Sequence, residues 1–211
     1  MGDGVFVNLG CRTNAAETDE VAALLGDASN FVVVNSCTVT TAADRDTRKA
    51  VSRARREHPG AALMLMGCFV DAHPGQTLGA DLVVPNAWKQ APLAVEGAEA
   101  VEPPGTRRSR YVLKVQDGCD NRCTFCIVWQ TRGRSLSRVL PYLEARASSA
   151  ARAGYREIVL TGIDLGSYRG GLAPLVGRLL DAGAPARLRL SQVHPTLRRE
   201  PIGTSSRSRA R

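Results

Sequence analysis

Three times within residues 1–70 an apolar run of strand length ends in a cysteine: Val5–Leu9 leads to Cys11, Phe31–Val34 to Cys37, and Leu63–Met66 to Cys68. The cysteines stand 26 and 31 residues apart, and between them lie stretches rich in Ala, Leu, Arg and Glu that predict helices around residues 15–25 and 43–57. Strand, helix and strand in that rhythm predict a parallel α/β sheet, which a fourth run at Asp81–Val84 completes. Successive strands of such a sheet point the same way. All three thiols are therefore expected at one sheet edge, on the loops where open α/β sheets hold ligands.

Single cysteines are often no more than small buried hydrophobes. Repetition of strand then cysteine argues for a metal site instead, with Cys11, Cys37 and Cys68 as ligands. The chain has no run of 18 or more apolar residues, and its first residues, MGDGVFVNLGC, lack the basic-then-apolar layout of a secretory signal. A cytoplasmic protein with no membrane segment is expected, and in that reducing compartment six cysteines read as thiols for metal or catalysis rather than as three disulfides.

The segment Glu96–Arg110, EGAEAVEPPGTRRSR, reads as an interdomain linker. After it the alternation restarts, with strands Tyr111–Gln116, Glu157–Thr161 and Arg187–Ser191 and helices near Pro141–Ala153 and Ala173–Ala182. The expected organisation is a first domain over 1–100, a second over 101–197 and a tail over 198–211. The end of that tail, Gly203–Arg211, has no apolar periodicity and is expected to be disordered, either an RNA-binding tail or the product of a truncation or a shifted frame. Charge divides along the same line. Residues 1–100 carry 8 Lys+Arg against 12 Asp+Glu, a net −4, whereas residues 101–211 carry 20 against 8, a net +12. A basic half suits a polyanion such as RNA, because each neutralised phosphate releases counterions; an ordinary solvated Arg-rich surface reads the same way.

The second domain opens on KVQDGCDNRCTFCIV, in which Cys119, Cys123 and Cys126 are spaced C-x3-C-x2-C directly behind a strand. Three thiolates from one loop can hold three irons of a four-iron four-sulfur (4Fe-4S) cluster and leave the fourth iron open to an exogenous chelator. Zinc is the alternative, but tetrahedral zinc sites usually pair C-x2-C units and recruit a fourth Cys or His, and no His lies near this loop.

With Phe125 before its third cysteine, this loop resembles the radical-SAM signature. That resemblance implies that S-adenosylmethionine chelates the open iron, that one electron from the cluster cleaves the sulfonium to give a 5′-deoxyadenosyl radical, and that the core is a partial TIM-type barrel. The motifs LGCRTNAAETD, VNSCTVTTAADRDTRK and GCFVDAHP, together with DGCDNRCTFCIVWQTRGRSLSR and GYREIVLTGIDLGSY, are similar to those of the radical-SAM methylthiotransferases and span nearly all of Val5–Pro195. The implied fold is α/β: a small parallel α/β sheet domain followed by the first half of the barrel. The implied cofactors are two 4Fe-4S clusters, the auxiliary one on Cys11, Cys37 and Cys68, and S-adenosylmethionine. A flavodoxin or ferredoxin is implied as electron donor, and a monomer is expected.

NSCTVT and LTGIDLGSY most resemble the branch that places a methylthio group at C2 of N6-threonylcarbamoyladenosine at tRNA position 37. Relatives act on isopentenyladenosine in tRNA or on an aspartate of a ribosomal protein. By the same resemblance Thr161 and Gly162, ending the second barrel strand, are candidates for binding S-adenosylmethionine. Arg132, Gly133, Arg134 and Arg138 match an RG-then-SR pattern and are expected either to contact substrate or phosphate or to pair with acidic neighbours. The basic residues from Arg45 to Arg56 read as a solvated helix face. Departures from the family are Gln192 and His194 in place of a Ser and a Glu, and the lack of a counterpart to the later barrel strands and the RNA-binding TRAM domain. A non-catalytic iron-sulfur module is therefore kept as a rival expectation.

Overall fold

The computed structural model describes residues 4–26, 30–90, 109–191 and 193. Strands β1 (Val5–Asn8), β2 (Phe31–Ser36), β3 (Ala62–Gly67) and β4 (Leu82–Val84) form one sheet in the order β1-β2-β3-β4, parallel throughout. Helices α1 (Arg12–Leu25) and α2 (Thr41–Glu57) link the first three strands, and the short helices α3 (Cys68–Ala72) and α4 (Asn86–Gln90) follow β3 and β4. From Val32 on, β2 is buried along its length, as expected for a parallel strand covered on both faces. Val32, Val34, Leu63 and Leu65 pack against Val51 and Ala54 of α2 and Phe69 of α3. The start of α2 is fixed by Thr40, whose Oγ accepts from the Ala43 N–H at 3.1 Å, with Asp44 in the first turn and Arg55 and Arg56 in the last.

The second sheet joins β5 (Arg110–Lys114), β8 (Glu157–Thr161) and β9 (Arg187–Leu190) in the order β5-β8-β9, also parallel. Helices α6 (Leu140–Arg152) and α7 (Leu172–Asp181) cover one face, where Leu143, Ala147, Ala150, Leu175 and Leu179 bury Tyr111, Leu113, Ile158 and Leu160. Pro141 sits in the first turn of α6, where its missing N–H costs no bond. The opposite face carries Arg110, Glu157 and Arg187 in one row and Lys114 beside Thr161 in another, and α1 of the first sheet packs against β5 there.

The α/β reading of both halves is thus what the chain adopts. One expected strand is divided. The run Tyr111–Gln116 ends its parallel pairing at β5; Val115 still donates to Thr161 O at 2.9 Å, and the chain then turns away as β6 (Gln116–Asp117), antiparallel to β7 (Leu136–Ser137). This two-stranded ribbon, with α5 (Val128–Arg132) between its strands, closes the base of the cysteine loop. The proposed tail and nearly all of the proposed linker lie outside the described residues. Among the described residues no helix is long and apolar enough to cross a membrane.

Candidate functional site

The parallel sheet delivers its three cysteines as expected, each just past a strand end. Cys11 immediately precedes α1 and is exposed, Cys37 follows β2 and is half-buried, and Cys68 opens α3 and is buried. Gly67 is required before Cys68, because its φ of 100° is left-handed and a Cβ there would stand 2.3 Å from Ser36 O. Two asparagines lace this edge. Asn14 Nδ2 donates to Asn35 Oδ1 at 2.9 Å and to Ser36 O at 2.8 Å, while Asn35 Nδ2 donates to Asn14 O at 2.8 Å. The Cys11 thiol lies 3.4 Å from Asn14 Oδ1, and Thr47 Oγ1 donates to Cys37 O at 3.2 Å.

Cys119, Cys123 and Cys126 lie on the loop between β6 and α5, all half-buried and free. The loop is entered through Gly118, at φ 71°, where a Cβ would fall 1.9 Å from Arg134 O. Cys119 N donates to Gly133 O at 3.0 Å and Cys126 N to Cys123 O at 3.1 Å. Gln116 ties this loop to the turn after β8: its Nε2 donates to Gly118 O at 2.7 Å, and its Oε1 accepts from Ile163 N at 2.9 Å and Asp164 N at 2.8 Å. Asn121 Nδ2 also donates to Asp164 Oδ2 at 3.0 Å. Among the described residues no three or more His, Cys, Asp or Glu side chains are gathered as a group that could hold a metal ion.

A cluster of buried charges joins the two halves. Glu17 of α1 receives Lys89 Nζ at 2.6 Å, Lys114 Nζ at 2.7 Å and the Arg132 guanidinium, and Lys114 also meets Asp117 at 2.6 Å. Arg132 further reaches Asp117 at 3.2 Å, Asn14 Oδ1 at 2.6 Å and, through Nε, the Cys68 sulfur at 3.3 Å. Burial alone would raise the Glu17 carboxyl; Arg132, Lys114 and Lys89 together override it and hold Glu17 well below its usual range. Asp117 is likewise lowered, burial being outweighed by Lys114 and Arg132. Desolvation, which opposes charge on Arg132, is overcome by Glu17, Asp117 and Cys68, so its pKa rises. Burial wins at Lys89, whose pKa falls despite Glu17.

A cleft of about 420 Å³ lies between the halves, with Thr38, Val39 and Thr40 just beyond Cys37 on one wall and Phe125, Cys126 and Ile127 on the other. Thr38 Oγ1 donates to Asp44 Oδ1 at 2.6 Å, and His73 Nε2 lies 3.0 Å from Asp44 Oδ2, so both are held by one carboxylate in that wall. Phe125 is 90% exposed, an unusual position for so large an apolar ring.

Of the residues expected to bind S-adenosylmethionine, Thr161 is buried with its hydroxyl 3.4 Å from Thr13 Oγ1 and 3.1 Å from Ser191 Oγ, and Gly162 is packed under Gln116. Of the two expectations for the arginines, acidic pairing is seen for Arg132, for Arg138, which is buried against Glu20 at 2.7 Å, and at the surface for Arg134, 3.7 Å from Asp120. Arg45, Arg48, Lys49, Arg53 and Arg56 of α2 are exposed, as the solvated-face reading has it. Glu17, Asn14, Asp117 and Lys89 escaped the sequence reading. Lys114, a charge inside the apolar strand YVLKV, was the one visible signal.

Residues 4–85 match the family model described as Uncharacterized protein family UPF0004. The chain is 31% identical to the threonylcarbamoyladenosine tRNA methylthiotransferase MtaB of Bacillus subtilis, over 80% of this chain and 45% of that protein. It is 30% identical to the tRNA-2-methylthio-N(6)-dimethylallyladenosine synthase of Anaeromyxobacter sp. (strain Fw109-5), over 90% of this chain and 50% of that protein. The chain therefore spans about half the length of the curated relatives it matches. In fold it is similar to the radical S-adenosylmethionine methyltransferase TsrM from Kitasatospora setae, with a TM-score of 0.56 at 14% identity, covering 89% of this chain and 53% of that one. The chain is thus a homologue, over most of its own length, of curated tRNA methylthiotransferases, with residues 4–85 as the part that matches UPF0004.

Proposed function

We propose that this chain carries the auxiliary-cluster domain and the cluster-bearing start of the radical core of a cytoplasmic tRNA methylthiotransferase. Its substrate in this reading is N6-threonylcarbamoyladenosine at tRNA position 37, modified at C2. The observation that carries the reading is the cleft itself: Cys126 of one thiol trio lines one wall, and the residues that directly follow Cys37 of the other line the opposite wall. The relative from Anaeromyxobacter supports isopentenyladenosine as a second substrate reading.

The donor sets fit iron-sulfur clusters. All six ligand candidates are free thiols, soft donors that favour such clusters, and a buried guanidinium stands against Cys68. Cys119, Cys123 and Cys126 would hold the cluster that takes S-adenosylmethionine, and Cys11, Cys37 and Cys68 the auxiliary one. When bound, these groups supply one-electron cleavage of the sulfonium at the first site and sulfur at the second, with a flavodoxin or ferredoxin as electron donor.

The protein's own contribution is position and exclusion of water. Gln116 and Asn121 fix the cysteine loop to the turn after β8, where Thr161 and Gly162 are the candidates for the cofactor. Phe125, Ile127 and Val39 give the cleft apolar lips. The +12 charge of residues 101–211 favours a polyanionic substrate.

Nucleoside mass spectrometry tests the substrate. Anaerobically reconstituted protein, dithionite, S-adenosylmethionine and tRNA containing threonylcarbamoyladenosine are expected to give its 2-methylthio derivative. Product only from isopentenyladenosine tRNA would favour the second reading, and product from neither would refute both.

A further inference from the structure

Among the described charged groups that join the two halves, Arg132 is the one with a side-chain nitrogen against a sulfur, and the neutral Asn86, bonded to Thr131 O, stands farther from the same Cys68 sulfur at 4.0 Å. The Arg132 side chain is completely buried, and its nitrogens divide their partners: Nε on Cys68 Sγ at 3.3 Å, NH1 on Glu17 and Asp117, and NH2 on Asn14 Oδ1 at 2.6 Å and Glu17 Oε2 at 3.4 Å. The same Asn14 oxygen lies 3.4 Å from the Cys11 sulfur. One guanidinium thus reaches two of the three thiols of the first trio, Cys68 directly and Cys11 through Asn14. It also belongs to the second trio's scaffold. Arg132 ends α5, six residues after Cys126, and its neighbour Gly133 accepts from Cys119 N at 3.0 Å.

Clamping the halves together does not by itself call for this residue, because Lys114 on Glu17 and Arg138 on Glu20 already bridge the same junction. The planar fork of Arg132 does what neither of them does: it points one N–H at sulfur while the other nitrogens are anchored on carboxylates and an amide. A lysine would keep the charge and lose the fork. A donor held against sulfur fixes its direction, as partners behind metal ligands do.

We propose that Arg132 is a positioning residue for the first thiol trio, setting the Cys68 and Cys11 sulfurs and fastening them to the scaffold of the second cysteine loop. This inference rests on the reading of that trio as a cluster site.

The test uses the full chain with Cys119→Ala, Cys123→Ala and Cys126→Ala, so that only the first trio can hold iron. Arg132→Lys and Arg132→Gln are compared with this parent, and Lys89→Gln serves as a control that loosens the same charge cluster without touching sulfur. After anaerobic reconstitution, iron content, chelator-driven iron loss, the reduced cluster's electron paramagnetic resonance signal and its reduction potential are measured, with far-ultraviolet circular dichroism reporting the fold. Both Arg132 variants are expected to keep the helical signal, to lose iron about 10-fold faster or more, and to show a shifted resonance and potential, while Lys89→Gln keeps the parent's values. Parent-like resonance, potential and iron loss in the Arg132 variants would overturn the inference and leave the cluster reading standing. A parent that takes up no iron would overturn the cluster reading and the inference with it. If both Arg132 variants fail to fold, or if Lys89→Gln shifts the signals equally, Arg132 is only a structural part of the junction and the inference fails.

Discussion

Arg132 Nε lies 3.3 Å from the sulfur of Cys68, although the two residues are 64 positions apart and belong to different halves of the chain. The contact forms where α5, just beyond the second cysteine loop, meets α3, which Cys68 begins. It makes the two cysteine sets parts of one junction, held by Glu17, Lys89, Lys114 and Asp117.

Glu17 is the centre of that junction. Removing its charge leaves Lys114 and Arg132 buried with Asp117 as the remaining carboxylate in direct contact, so Glu17→Gln is expected to lower unfolding free energy by about 3–5 kcal/mol. Urea denaturation at neutral pH measures it.

The same residue sets an acid limit. The folded pKa of Glu17 is well below the 4.5 of a free glutamate, so the unfolded chain takes up its proton first as pH falls. Its stabilisation is complete above pH 4.5 and is lost progressively as pH drops from there toward the folded pKa. Wild-type stability should therefore fall more steeply below that pH than stability of Glu17→Gln, as thermal melts across the acid range would show.

Gly118 and Phe125 should separate fold from function in opposite ways. At Gly118 a side chain requires a left-handed backbone and collides with Arg134 O, so Gly118→Ala is expected to cost about 1–3 kcal/mol and to lose the iron of the second trio while sparing the first. Iron analysis and thermal melting of one preparation check both halves of that expectation.

Phe125 is 90% exposed, so Phe125→Ala is expected to change stability by less than about 0.5 kcal/mol. As a lip of the cleft beside Cys126, it should nevertheless matter for reductive cleavage of S-adenosylmethionine, which is expected to fall at least about 10-fold when followed by chromatography.

Strand periodicity made most of the architecture legible. FVVVNS and LMLMGC could only be buried parallel strands, and their direction carried Cys37 and Cys68 to the edge shared with Cys11. The β6–β7 ribbon was not legible, since two-residue strands leave no periodicity and form only because the chain must return under Gly118. Glu17 was hidden for another reason. In RTNAAETDEV it reads as one more polar helix residue, and only the packing of α1 onto β5 turns it inward onto Lys114. Arg132 sat in a recognisable motif, but whether it faced solvent or a carboxylate was decided by that same packing.

Iron and sulfide content after anaerobic reconstitution tests the central claim most directly. The wild-type chain is expected to bind about eight irons, and about four should remain when either Cys11, Cys37 and Cys68 or Cys119, Cys123 and Cys126 are replaced by alanine. A single zinc per chain, or an iron content that neither triple replacement changes, would contradict the account.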